Sequence, residues 1–198
     1  MKTFVVIIFA LALAACSSTV NLQQSPSDLV LVNVQRNSNS PVTYTFSSRL
    51  PDEFRTVNNS SSSYVFYLNN SMQNNIAFYM QNKFDKLGDS VGSHVSLAFR
   101  LDSANISYKY SQNAAEVMSA LLGGKTSGET VINTKLFVHL AAQNSDSTLL
   151  DREVVSENQY SKATSGDERV EDIYSEGVNG AISKFIILTD KYLKSCGL

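Results

Sequence analysis

From Ile132 to Ala142 every second residue is one that a buried face accepts: Ile132, Thr134, Leu136, Val138, Leu140 and Ala142. Successive side chains of a strand point to opposite faces, so this period predicts a long strand with one face in a core and one in water. Such a strand needs neighbours to bond and a layer to cover it. Upstream, Val95, Leu97, Phe99 and Leu101 alternate with His94, Ser96, Ala98 and Arg100. Ile106, Tyr108 and Tyr110 continue in the opposite phase, and the extra residue near Asp102-Ser103 predicts a bulge or bend. Downstream, Asn144-Ser145-Asp146-Ser147 supplies a turn and Leu149 to Tyr160 returns as a polar partner strand. Nearer the amino terminus, Leu29 to Val34 is a continuous apolar run suited to a buried strand, and Val42 to Phe46 alternates. Asn37 to Pro41 and Val57 to Ser63 have loop compositions.

Two segments carry helical periodicity. Ser71 to Leu87 places Met72, Ile76, Tyr79, Met80, Phe84 and Leu87 on one face, with Asn70 and Gln73 as a start signal and Gly88 as a stop. A stripe of Met and aromatics resembles a ligand groove, but core packing against a sheet explains it without a ligand. The second helix runs from Gly166 to Lys194 behind a capping box of Ser165 and Glu168. Its apolar stripe is Val170, Ile173, Tyr174, Val178, Ala181, Phe185, Leu188 and Tyr192. Gly177 and Gly180 inside it cost about 1 kcal/mol each against Ala, which predicts close packing on the sheet. The order strand, helix, strands, helix predicts an α+β fold, a mainly antiparallel sheet covered on one face by two helices. A chain of 198 residues, 43% hydrophobic, suffices for one such domain, placed at residues 28–198.

The first residues follow a different logic. Met1-Lys2-Thr3 brings one positive charge, and Phe4 to Ala15 has no charged residue. The run is too short to cross a bilayer as a helix, which needs about 20 residues. A basic start, an apolar stretch and small residues at its end make a secretory signal. Leu13-Ala14-Ala15-Cys16 resembles the lipobox of bacterial lipoproteins. That resemblance implies cleavage between Ala15 and Cys16, a diacylglycerol thioether on Cys16 and acylation of its new amino group. The competing reading is an ordinary secretory signal that leaves Cys16 a plain thiol. Several acyl chains hold a protein where one gives only marginal binding. Ser17, rather than Asp, follows the cysteine, which by the same resemblance points to the outer membrane. Residues 16–27 read as the lipidated cysteine and a polar tether, with Pro26 near its end. A formal net charge of −2 gives no electrostatic footprint for nucleic acid or for anionic lipid, so neither is expected as a partner on charge grounds. With Cys16 committed to lipid, Cys196 has no intrachain partner and is open to an intermolecular disulfide or to remaining a free thiol.

The lipobox, the short linker, Val30-Leu31-Val32-Asn33-Val34, the amphipathic helix, strands such as His94 to Leu101 and the terminal helix together resemble small outer-membrane lipoproteins of the YajG-like type. Similar layouts occur in the lipopolysaccharide-assembly lipoprotein LptE and in auxiliary lipoproteins of lipid-transport ABC systems. The resemblance implies an envelope accessory protein with a protein partner, and transfers no functional residue except Cys16.

No catalytic constellation, cofactor loop or metal cluster stands out. His94 and His139 are the only histidines and neither has metal-ligand spacing to another donor. Gly123-Gly124-Lys125-Thr126 resembles a phosphate-binding loop, yet Ser119 stands where the first Gly is required. Asp167, Glu168, Glu171 and Asp172 suit the start of a helix, whose dipole favours negative charge. Two function classes follow: a non-enzymatic accessory or binding subunit, or a periplasmic hydrolase or glycan-processing enzyme with a dispersed site. One segment is oversized for its task. Gln112 to Gly128 joins two strands with more chain than a hairpin needs, and within it Asn113 to Leu122 reads as a short helix. Its patch of Val117, Met118, Leu121 and Leu122 either folds back on the core or projects toward a partner or the bilayer.

Overall fold

The computed structural model describes residues 17–23, 31, 34–37, 41–57, 62–88, 95–123, 128–164 and 169–198. In chain order its elements are β1 (Ser17–Val20), β2 (Val42–Ser48), β3 (Phe54–Val57), β4 (Ser63–Phe66), α1 (Leu68–Lys83), β5 (Val95–Ser111), α2 (Ala114–Leu121), β6 (Gly128–Gln143), β7 (Thr148–Thr164) and α3 (Val170–Ser195). The long alternating strand is β6, central in a four-stranded sheet of order β2-β5-β6-β7. β5, β6 and β7 are antiparallel, and β2 joins the edge parallel to β5. The expected inward residues of β6, from Ile132 through Leu136, Val138 and Leu140 to Ala142, are fully buried, as is Thr134. The register between β5 and β6 shifts between Leu101 and Ser103, where the sequence changes phase. A side chain lost from that face at the bulge is regained at Ile106, which is buried. Asn144 closes the β6–β7 turn, its Oδ1 accepting the N–H groups of Asp146 and Ser147 at 3.0 and 2.7 Å.

α1 and α3 cover one face of this sheet, which makes the fold α+β. α3 runs antiparallel to β7 and approaches closely at its glycines. A Cβ on Gly177 would stand 2.7 Å from Ile132 Cγ2, and one on Gly180 would collide with the Asn158 amide. Asn158 Nδ2 donates to the Gly177 carbonyl at 3.0 Å, so the contact is bonded as well as tight.

Several boundaries differ from the sequence reading. α1 starts at Leu68, with Tyr67 as an N-cap that makes no side-chain bond, so Asn70 lies inside the helix. It stops at Lys83 because Phe84 turns extended and forms a bridge with Asn37, while Leu87 bridges Val42. Helical spacing carried on past the helix because Phe84 still faces the core, where it is buried. α3 starts at Val170 behind Arg169, which supplies no side-chain cap; Ser165 and Glu168 lie outside the described residues. The strand expected over Leu29 to Val34 lies mostly outside them too. Of its described members, Leu31 is helical, and the Val34 N–H bonds the Leu31 carbonyl at 3.0 Å, a turn and not a ladder.

A second sheet, of order β1-β4-β3, was not expected. β1 pairs parallel with β4 and β3 antiparallel with it. The start of the supposed tether is therefore part of the fold: Ser17 pairs with Ser63, and Val20 and Leu22 are buried. The loop reading of Val57 to Ser63 is corrected at both ends, since Val57 closes β3 and Ser63 opens β4. This sheet closes the core with an aromatic cluster, Tyr174 stacking within 4.6 Å of Tyr64, 5.5 Å of Phe66 and 5.9 Å of Tyr108. Burial raises the Tyr174 phenol above its ordinary range, helped by Tyr64 and Tyr108.

Candidate functional site

The β5–β6 connection forms α2 as the sequence suggested. The Val117 N–H bonds the Asn113 carbonyl and the Leu122 N–H that of Met118, both at 3.1 Å, and Gly123 ends the turn at φ 84°. Its apolar patch does not fold back on the core. Val117 is 42% exposed, Met118 57%, Leu121 75% and Leu122 83%, so the four side chains stand in solvent along α2 and the turn that ends it. Burial of large apolar side chains stabilises a fold by about 1.5–3 kcal/mol each, and these contribute little of that here. Met118→Asp with Leu121→Asp is accordingly expected to leave the melting temperature within about two degrees of wild type. A drop of ten degrees in a circular-dichroism melt would mean that the patch is core.

The elements at this end of the molecule can be followed from Gly177, which abuts Ile132 and Tyr160. α3 climbs from there to Val170 by about 10 Å at 1.5 Å per residue. β7 climbs from Tyr160 to Thr164 by about 13 Å at 3.3 Å per residue. The start of α3 is thus level with the end of β7, which pairs with Gly128 at the start of β6. Glu129 in turn pairs with Ser111, where the chain leaves for α2. β1 reaches the same level. Ser18 donates to Glu171 in the first turn of α3, Ser175 to the Asn21 carbonyl, and the Gln23 N–H to Asn179 Oδ1 at 3.0 Å. The Glu171 carboxyl lies below its usual range, chiefly through its own backbone N–H at the helix start and then through Ser18. Ser17 and α2 therefore flank one end of the domain.

A second cluster lies toward the far end of α3, where the sequence reading found nothing. Lys83 Nζ, in a side chain only 2% exposed, stands 3.0 Å from Asp190 Oδ1. Lys194 Nζ is 2.7 Å from Oδ2, and the Tyr79 hydroxyl donates to Oδ1 at 3.1 Å. Burial alone would raise the Asp190 carboxyl, but the bonds from Lys194, Lys83 and Tyr79 together hold it below its ordinary range. Burial, and then the Asp190 charge, push the Tyr79 phenol far above its own. A cleft of 410 Å³ adjoins this cluster, lined by Arg36, Asn37, Lys83, Lys194 and Leu198 among others. Its cations are matched by carboxylates, Lys83 and Lys194 by Asp190 and Arg36 by Asp85 at 3.4 Å. The signal in the sequence was phase: Asp190 follows Ile186 by one helical turn, and Lys83 follows Tyr79 likewise, so both charges fall on buried faces.

Other candidates resolve more simply. His139 has a carboxylate partner, with Nε2 2.8 Å from Asp151 Oδ1, but Asp151 is 61% exposed on the open face of the sheet. Water screens such a pair, and it reads as a surface contact. Nearby, Arg100 Nε bonds Asp102 at 2.7 Å and Arg49 stands 3.2 Å from the same oxygen. His94, Lys125, Asp167 and Cys16 lie outside the described residues. Among the described residues no group of three His, Cys, Asp or Glu side chains could hold a metal, and no helix is long and apolar enough to cross a membrane. Cys196 is a half-buried free thiol that contacts the Leu149 carbonyl at 3.5 Å.

A Xanthomonas campestris protein of the DUF330 family superposes with a TM-score of 0.51 over 92% of this chain and 97% of its own, at 7% identity. The two share a fold. An uncharacterized protein covers 90% of this chain and 98% of its own at 7% identity, with a TM-score of 0.41. The rare lipoprotein B of Shewanella oneidensis covers 78% of this chain and 93% of its own at 14% identity, with a TM-score of 0.28. These two superpositions are too loose to carry an argument. No family model matches the chain, and no curated protein matches its sequence. The fold is thus one that a DUF330 protein also has, and the YajG-like resemblance gains nothing from it.

Proposed function

We propose that this chain is a lipoprotein of the bacterial envelope, held in the outer membrane by acyl groups on Cys16 and facing the periplasm, where it serves as a non-enzymatic accessory or binding subunit for another envelope protein. The observation that carries the reading is the join between anchor and fold. Leu13-Ala14-Ala15-Cys16 runs directly into β1, a strand held by β4 and by α3, so lipid and domain meet without a linker. A subunit that works against a membrane-bound partner gains from such a fixed height, because a short connection keeps the effective concentration of the two high.

The reading predicts that Cys16→Ser abolishes lipid attachment and leaves the precursor uncut, because the sulfur is the acceptor and Ser offers none. Cells fed a radioactive fatty acid should label the wild-type chain and not the variant. A labelled, mature, membrane-bound form of the Cys16→Ser variant would sink the reading.

A further inference from the structure

The exposed face of α2 and the proposed lipid anchor share one end of the molecule. Consecutive Cα atoms are about 3.8 Å apart, so Cys16 adjoins β1 at a single peptide's distance. Ser17 opens that strand beside the first turn of α3, level with the strand ends from which α2 departs. A lipid on Cys16 thus brings the bilayer to the same end as Val117, Met118, Leu121 and Leu122. Val57 belongs to this end as well. It pairs with Ser63, which pairs with Ser17, and it is 68% exposed. A row from the anchor site across the small sheet therefore finishes in a second unpartnered apolar side chain.

We infer that α2 is a second membrane contact, its Val117, Met118, Leu121 and Leu122 face entering the interfacial layer of the bilayer that holds Cys16. This rests on the lipoprotein reading above. The occupant is lipid because the anchor sets lipid against this end whatever else the protein binds, whereas nothing fixes a protein partner there. Outside that face α2 carries only small residues and Glu116, so it can lie in the interface plane with its apolar side down. Two separated contacts, one covalent and one through α2, set the orientation of the domain, which a single lipidated residue leaves free to pivot. The opposite end, with the Asn144–Ser147 turn and the Asp190 cluster, then points away from the membrane toward the partner.

The chain has no tryptophan, so one introduced residue reports alone. The full chain carrying Leu121→Trp is processed in a Gram-negative host and reconstituted into phosphatidylethanolamine and phosphatidylglycerol vesicles whose acyl chains are brominated. A second preparation carries Asp146→Trp, at an exposed position in the far turn. Emission from the Leu121→Trp protein is expected to shift to the blue and to be quenched several-fold more strongly than that from Asp146→Trp. Adding Met118→Asp and Leu122→Asp should return it to the Asp146→Trp level. The mass of the amino-terminal peptide from the same samples separates the failures. Acylated Cys16 with unquenched Leu121→Trp overturns the membrane contact and leaves the lipoprotein reading standing, with the patch open to solvent or to protein. An unmodified Cys16 overturns both.

Discussion

Phe185→Asp is expected to leave the domain without a cooperative melting transition. Phe185 is fully buried and meets Phe99 edge to face, with ring centroids 6.4 Å apart at 81°. Removing a buried Phe costs about 3–5 kcal/mol, and an aromatic pair of this geometry adds about 0.5–1.5 kcal/mol. The new carboxylate would also enter a site lined by apolar groups of β5 and β6, a penalty of several kcal/mol more unless it stays protonated. A domain of this size is stable by about 5–15 kcal/mol, so the sum consumes most or all of it. Ile76→Asp makes the same demand on α1 and should act alike, since Ile76 is fully buried too. A melt of either protein within a degree or two of wild type would show that the helix in question does not cover the sheet.

Both substitutions fall on faces legible from periodicity alone, and the reason bears on what else was legible. β5 and β6 are long, and each has one face in a core, so their period-two pattern is repeated often enough to be unambiguous, whereas β7 was legible only as the polar partner that follows a turn. The bulge at Leu101–Ser103 was visible because a single extra residue reverses the phase of everything after it. Gly177 and Gly180 were visible as an expense within a helix, and the sheet beneath them supplies the reason. β1, β3 and β4 were not. Each spans four residues, too few for a period to register, and Ser17 to Thr19 and Ser60 to Ser63 have the composition of loops. Their structure comes from pairing across long sequence separations, which no local pattern encodes.

The candidate site divides along the same line. That Asn113 to Leu122 is helical follows from its composition and its Gly stop, but its apolar patch would have looked the same packed inward or facing out. Exposure is a property of where β5 and β6 end, and only the tertiary structure sets that. The proposed anchor is the reverse case, a motif of four residues read from chemistry and independent of the fold. Its distance from the domain was misjudged, because Ser17 to Thr19 is polar by composition and part of a strand by pairing.

Asp190→Asn tests the cluster that the sequence concealed, and its effect should depend on pH. At neutral pH the substitution leaves the Lys83 ammonium, 2% exposed, without its countercharge. Removing one partner of a buried pair costs about 3–5 kcal/mol, far more than the pair contributes relative to apolar residues of the same shape. Lys194→Ala is the control. Its ammonium is 42% exposed and its bond to Asp190 is a pair between adjacent helical turns, for which about 0.5 kcal/mol is expected. The pH dependence follows from the direction of the Asp190 shift. Its carboxyl is held below the ordinary value in the folded state, so the unfolded chain binds the proton more readily. The stabilisation is fully present above the unfolded value, about 3.9, and is lost as pH falls through the lower folded one. Once protonated, Asp190 is as neutral as the Asn that replaces it. Urea denaturation of wild type and Asp190→Asn should therefore show a gap of several kcal/mol at pH 7 that narrows steadily below about pH 4. A gap that persists unchanged at pH 3, or one no larger than that of Lys194→Ala at pH 7, would mean that Lys83 does not depend on Asp190 for its burial.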